Sequence, residues 1–219
     1  MESEVVGDLI RIHTVMTRGL GVSIDHGRAF SEERSETNRF KGYIVYLRCL
    51  TSMLHAHHLT EDQVAFPYFK KFLPDGPYET LTGQHKEIAG HLVKINAWIN
   101  ENKHSPPPKE QWTSLITYLG AIQTLWLPHI QTEESHFSEE RISPVINMDD
   151  RIQFGKLLSH HSRSHQQGGI EMLAFVMYNM KPDDREVLAR TTPWFLRKAL
   201  LNGLLKNQWK PIRPFLLSE

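Results

Sequence analysis

The chain has 219 residues, 40% hydrophobic and 23% charged, which is the composition of one large globular domain or of a domain with an appendage. Its 25 basic and 25 acidic residues cancel, which argues against a nucleic acid as partner. The one cysteine, Cys49, excludes an intrachain disulfide, so we expect a reducing, cytoplasmic compartment. No apolar run is long enough for a transmembrane segment, and the acidic N-terminus does not resemble a signal peptide.

Apolar residues at helical spacing dominate the first two thirds of the chain. The pattern predicts long helices over 5–30, 38–73, 78–102 and 110–142, separated by breakers such as PDGP and HSPPP. Four long helices with short links predict an all-α fold, an antiparallel up-down-up-down four-helix bundle within residues 1–145.

Residues 146–219 are predicted to form additional helices packed on this bundle. Residues 149–180 form one helix, or two pieces that meet at Gly168 and Gly169. The segment 193–216 mixes aromatic, aliphatic and basic residues. Such segments lie on membranes or, more often, pack on their parent domain, so we expect packing or a contact between two copies in a homodimer.

Two predicted helices carry the same motif, His57-x-x-x-Glu61 and His129-x-x-x-Glu133. Residues four apart on a helix are rotated by only ~40°, so each pair points an imidazole and a carboxylate in one direction. That direction coincides with the apolar stripe of the helix. Burying such groups unpaired would cost several kcal/mol, and a bound cation would remove this penalty.

The other two predicted helices each place a histidine in an apolar stripe, His13 and His85. Taken alone, each motif is more often an ordinary surface or core feature. In this helix order, however, four imidazoles and two carboxylates converge in one bundle. Imidazole with carboxylate suits iron, manganese or zinc, and two carboxylates can each bridge two metals.

These residues resemble the hemerythrin family, in its HHE cation-binding branch. The matching stretches are IRIH in the first helix, HHLTEDQVAFP in the second, QHKEI in the third and HIQTEE in the fourth. The resemblance implies a four-helix bundle around two iron ions joined by carboxylates and an oxygen species. The ligands that it implies are His13, His57, Glu61, His85, His129 and Glu133.

The sequence departs from the oxygen-carrying members at one position. They have a second histidine four residues after the one on the third helix, where this chain has Ala89. We therefore expect one ligand to be missing, which favours chemistry over reversible oxygen binding. His161 or His165 could replace that ligand or line a channel to the metals, although a polar surface is the simpler interpretation.

A second ambiguity lies in the second helix, where His58 and Asp62 have the same spacing as His57 and Glu61. They are alternative ligands, groups that orient the ligands, or surface residues. His55 is predicted to lie on the surface.

A ferritin-like site is a rival interpretation, because Glu101-x-x-His104 and Glu133-x-x-His136 have the required spacing. His104 sits against a proline run at a helix end, which disfavours it. We therefore predict a hemerythrin-like di-iron protein that reacts with dioxygen, peroxide or nitric oxide. A carrier, iron store or sensor without turnover, and an oxygenase or oxidase acting on an organic substrate, remain the alternatives.

Overall fold

A computed structural model describes residues 5–32, 37–191 and 206–217, and every regular element in these ranges is a helix. This confirms the predicted all-α class. The elements in chain order are α1 (Val5–Glu32), α2 (Thr37–Thr60), a π-helical turn (Glu61–Ala65), α3 (Phe66–Phe69), α4 (Tyr78–Asn102), α5 (Lys109–His136), α6 (Glu139–Ile142), α7 (Met148–His165), α8 (Ile170–Asn179), α9 (Pro182–Thr191), α10 (Lys206–Trp209) and a 3-10 turn (Lys210–Phe215).

The four long helices α1, α2, α4 and α5 form the bundle. Each contacts two of the others, in the cyclic order α1, α2, α4, α5 and back to α1. Their apolar stripes meet in one core, in which Leu20, Leu50, Ile88 and Leu119 are fully buried. This is the burial that the helical periodicity predicts, and it leaves the polar members of the stripes inside the bundle.

The second helix changes its winding where the predicted ligands end. The backbone amide of Phe66 donates a hydrogen bond to the carbonyl of Glu61, five residues earlier, and α3 continues the helix. Such π-helical turns are frequent at functional sites because they add a residue and change the direction of the side chains that follow.

The C-terminal elements pack against α1 and α2. Phe175 of α8 and Phe215 of the 3-10 turn lie in the same core as the bundle. Arg18 and Tyr46 both donate to the side-chain oxygen of Asn179, at 2.6 and 2.9 Å. Hydrogen bonds and buried aromatic rings therefore join the extension to the bundle.

A glycine marks how closely this part is packed. A Cβ on Gly42 of α2 would lie 1.9 Å from the carbonyl oxygen of Pro211, so the 3-10 turn rests directly on the helix backbone.

The α7 and α8 helices are separate pieces, as one of the two interpretations predicts, and Gly168 between them has a φ of +120°. Residues 193–205 of the basic, aromatic segment lie outside the described residues.

The environment of Cys49 is apolar. Its thiol is buried in the core on α2, and this burial raises its pKa to about 12. As for membranes, the described helices include none that combines the length and the apolar character of a membrane span.

Candidate metal centre

All six residues selected by their spacing lie in one buried cluster, and none is more than 8% exposed. The cluster draws on every helix of the bundle. Its members are His13 of α1, His57 at the end of α2, Glu61 at the start of the π-helical turn, His85 of α4, and His129 and Glu133 of α5.

The candidate ligand atoms fall into two overlapping groups. Within each group, all of these atoms lie within 4.8 Å of one another. The first group is His13, His57, Glu61 and Glu133, and the second is His58, Glu61, His85 and His129. Glu61 belongs to both. Two cation sites that share one carboxylate are the arrangement of a dinuclear centre.

His58 is the member that the sequence left undecided. Its ring is buried and joins His85 and His129 in the second group. On a helix, Glu61 is rotated by ~40° and His58 by ~100° from His57, so the carboxylate lies between the two imidazoles. The adjacent histidines can therefore serve different metal ions, with Glu61 shared between them.

The two carboxylates lie between the halves of the cluster. Glu61 places Oε1 3.0 Å from Nε2 of His57 and Oε2 3.4 Å from Nε2 of His85. Oε2 of Glu133 lies 3.3 Å from Nε2 of His13. The same oxygen is 3.5 Å from Nε2 of His129. Each carboxylate therefore reaches one imidazole from each group.

Three of the imidazoles are oriented by an acceptor on the far side of the ring. Nδ1 of His85 donates to Asp62 at 2.9 Å, and Asp62 also accepts from the hydroxyl of Thr82. Asp62 is thus an orienting group, one of the roles that the sequence allows, and lies outside both ligand groups. Such carboxylate–imidazole pairs fix the tautomer and increase the basicity of the metal-facing nitrogen.

The same arrangement recurs at two further rings with partners that the sequence did not select. Nδ1 of His13 donates to Glu134 at 2.8 Å, and Nδ1 of His129 donates to the side-chain oxygen of Gln84 at 3.0 Å. Glu134 directly follows Glu133, and Gln84 directly precedes His85. Being a polar neighbour of a ligand on the same helix is the only sequence signal that could have indicated them.

These hydrogen bonds leave unprotonated Nε2 atoms directed at the centre. With the Asp62 carboxylate and the Gln84 side-chain oxygen as acceptors, the rings of His85 and His129 carry their protons on Nδ1, and their Nε2 atoms then face each other at 3.2 Å without a proton between them. Two lone pairs that face each other at this distance repel, and neither atom can donate to the other. A cation between them turns this repulsion into two ligand bonds.

Further polar atoms in the cluster are buried without a hydrogen-bond partner among the described residues. They are Nε2 of His13, His57 and His58, both side-chain oxygens of Glu61, and Oε2 of Glu133. Leaving each buried group unsatisfied costs about 1–3 kcal/mol. The donor set therefore fits metal ions, which would satisfy these atoms together.

Burial keeps several imidazoles of the cluster uncharged. Burial, with the nearby histidines, holds the pKa values of His57 and His58 well below the usual range. Burial likewise lowers the pKa of His129 to about 4. These imidazoles are therefore neutral at pH 7, which is the form that binds metals.

The two carboxyl groups respond in opposite directions. Burial and the nearby charge of Glu133 hold the pKa of Glu61 well above its ordinary value. For Glu133 burial would raise the pKa, but the nearby imidazoles, above all that of His13 at 3.3 Å, outweigh burial and lower it. Burial alone would lower the pKa of His13, whereas Glu133 and Glu134 raise it. Two buried carboxyls that cannot easily share negative charge are stabilised by a multivalent cation.

Trp126 of α5 closes one side of the cluster. Its indole lies with its centroid 5.4 Å from the ring of His13 and 5.9 Å from those of His57 and His58. The indole nitrogen donates to the hydroxyl of Thr17 at 2.8 Å. The fully buried ring is held in place and keeps water away from the imidazoles.

Ala89, the position where we expected a ligand to be missing, is exposed on α4. His58 joins the cluster from α2 and brings its imidazoles to five. A candidate donor set of five imidazoles and two carboxylates is therefore assembled without a histidine at position 89.

His161 and His165 do not belong to either ligand group among the described residues. They lie on α7, outside the bundle, where His165 is exposed. His55 is exposed, as predicted. His104 is exposed and His136 hydrogen-bonds to the carbonyl of Thr132, so neither ferritin-like pair is assembled.

Comparison with known proteins identifies a family but no individual relative. Neither the curated proteins nor the solved structures yield a match to the chain. A family model does match: the hemerythrin HHE cation-binding domain, over residues 5–140. That range includes α1 to α5 and all seven residues of the two ligand groups. The chain therefore belongs to the hemerythrin HHE cation-binding domain family.

Proposed function

We propose that the cluster binds two iron ions and that the protein reacts through them with a small oxidant, namely dioxygen, peroxide or nitric oxide. The observation that carries this proposal is the sharing of Glu61 by two groups of ligand atoms, which together offer five imidazoles and two carboxylates. Iron at such a site supplies redox chemistry, and manganese or zinc would fit the same donors.

The two groups differ in their number of histidines. One contains His58, His85 and His129, and the other contains His13 and His57. Since each carboxylate lies near imidazoles of both groups, the His13 side would offer an ion one protein donor fewer. We propose that the small molecule binds on this side.

The surrounding residues determine how such a molecule is received. Glu134 holds the proton of His13 on Nδ1, so its Nε2 can bind metal. The raised pKa of Glu61 means that this carboxyl can hold a proton when the positive charge of the centre is reduced. Trp126 excludes bulk water and favours a small, weakly polar molecule.

A reversible oxygen carrier is the second candidate, and the presence of His58 in the cluster favours it. With five imidazoles the donor count is no longer short of that expected for a carrier. Carrier and reactive protein differ in one respect: the carrier releases oxygen unchanged.

Metal analysis combined with absorption spectra tests the proposal. We expect two iron ions per chain after reconstitution, and a visible band that appears when the reduced protein meets oxygen or peroxide. If degassing restores the reduced spectrum, the carrier function applies. A protein that retains no iron, or retains iron without any change on adding an oxidant, contradicts the proposed function.

A further inference from the structure

The helix α7 lies against the segment of the second helix that carries Glu61, although α7 is outside the range that matches the family. It touches this segment at three levels. Beyond the end of α7, the amide of Gln167 donates to the hydroxyl of Ser52 on α2 at 2.7 Å. Near the start of α7, Phe154 stacks on Tyr68 of α3, with ring centroids 4.0 Å apart.

His161 makes the contact between these two levels, at the π-helical turn itself. Its Nδ1 lies 3.0 Å from the hydroxyl oxygen of Thr60, and its Nε2 lies 3.1 Å from the side-chain oxygen of Gln63. Thr60 immediately precedes Glu61, and Gln63 follows two residues later. One imidazole therefore links both sides of the residue that the two ligand groups share.

The direction of these hydrogen bonds follows from Thr60. Its hydroxyl donates to the carbonyl of Ala56 at 2.7 Å, so its oxygen is left to accept from Nδ1 of His161. The neutral ring then accepts at Nε2 from the amide nitrogen of Gln63, after rotation of that amide. The protonated ring donates to the amide oxygen as placed. Both forms of His161 can therefore hold the turn.

Glu61 has reason to need such support. A π-helical turn is rarely stable by itself, and the carboxylate must reach imidazoles from two groups at once. A small displacement of the turn would move Oε1 away from His57 and Oε2 away from His85 together. Groups that orient ligands from outside typically contribute about 10–100-fold to metal affinity.

We propose that His161 is a positioning residue that holds the π-helical turn, and thereby Glu61, where both metal ions share its carboxylate. This inference rests on the proposed metal centre. It gives α7 a role in metal binding, through Thr60 and Gln63, without making any residue of α7 a ligand.

Cobalt(II) titration of the metal-free full chain tests the inference, because the visible bands of cobalt report the number and geometry of its ligands. For His161→Ala we expect two cobalt ions to bind with affinity lowered about tenfold, and an altered visible spectrum. His161→Gln, which can still donate to Thr60, should restore much of both. His160→Ala is the matched control, since His160 is the exposed histidine that precedes His161 on the same helix.

A merely structural role would lower the melting temperature of the metal-free His161→Ala protein while leaving its cobalt affinity and spectrum like those of wild type. That result overturns the inference alone. A wild-type chain that binds no cobalt overturns the proposed metal centre and the positioning role together. If His161→Ala does not fold, the substitution Gln63→Ala, at an exposed position, should reproduce the cobalt effects. A Gln63→Ala protein whose cobalt titration equals that of wild type contradicts the inference.

Discussion

The ring of His58 lies flat against the ring of His85, with centroids 4.2 Å apart and planes within 18°. The two histidines come from different helices of the bundle, yet both belong to the same ligand group. His58→Ala should therefore remove a ligand and also release the support of the His85 ring. We expect the metal content after reconstitution to fall from two ions per chain towards one.

His55→Ala is the control for this substitution, because His55 is three residues away on the same helix but exposed. It should leave the metal content unchanged in elemental analysis of the purified proteins. Equal metal content in His58→Ala and wild type would show that His58 is not a ligand.

Metal binding should raise thermal stability. The candidate ligands come from four helices. A cation that binds only the folded state adds about 2.7 kcal/mol when its free concentration is roughly 100 times its Kd. For a chain of this length that corresponds to a melting temperature higher by about 5–10 °C. Scanning calorimetry with and without chelator measures it, and identical melting temperatures would count against a tight site.

Ala89→His should not alter the centre. Since Ala89 is exposed, the added imidazole would lie in solvent. We expect unchanged iron content and an unchanged rate of oxidation when the reduced variant is mixed with oxygen in a stopped-flow spectrometer. A longer-lived oxygen adduct in this variant would mean that α4 can rotate to bring residue 89 inside. His85→Ala, one turn earlier, should lose iron.

Trp126 should report on metal binding by its fluorescence. Its indole lies next to four histidines of the two ligand groups, so redox-active or paramagnetic ions bound there can quench it by electron or energy transfer. Cobalt(II) should reduce the emission of wild type, and most of that reduction should be absent in Trp126→Phe. Trp112→Phe is the control, because Trp112 packs against Phe30. Quenching that persists in Trp126→Phe contradicts this assignment.

Gly42→Ala should destabilise the junction between α2 and the 3-10 turn. The new Cβ would meet the carbonyl of Pro211 at 1.9 Å, and backbone must move. We expect a loss of about 1–3 kcal/mol in urea unfolding, typical of overpacking. At Gly90 of α4, an added Cβ meets nothing within 4 Å, so Gly90→Ala should instead stabilise by about 0.5–1 kcal/mol. Equal effects of the two substitutions would contradict a tight junction.

Much of the cluster could be predicted from helical spacing, for a simple reason. His57 and Glu61, like His129 and Glu133, share the phase of their apolar stripes, and the core side of a helix is readable from periodicity. His13 and His85 follow from the same argument. Tertiary structure is not needed to know that these side chains turn inwards.

His58 could not be assigned in this way. Its position ~100° from His57 lies at the edge of the inward arc, where the neighbouring helices decide whether a side chain is buried. The π-helical turn has no clear sequence signature either. Glu134 and Gln84 act across helix interfaces, so their partners could be identified only once α1, α4 and α5 had been placed side by side.

The burial of Cys49 has a consequence for how this protein withstands its own chemistry. A thiol with a pKa of about 12 has almost no thiolate at neutral pH, so hydrogen peroxide or disulfides in solution react with it extremely slowly. The chain therefore offers no readily oxidised sulfhydryl next to a centre that we expect to handle oxidants. Modification by a thiol reagent would consequently follow the opening of the core, and its rate would measure how often the folded bundle comes apart.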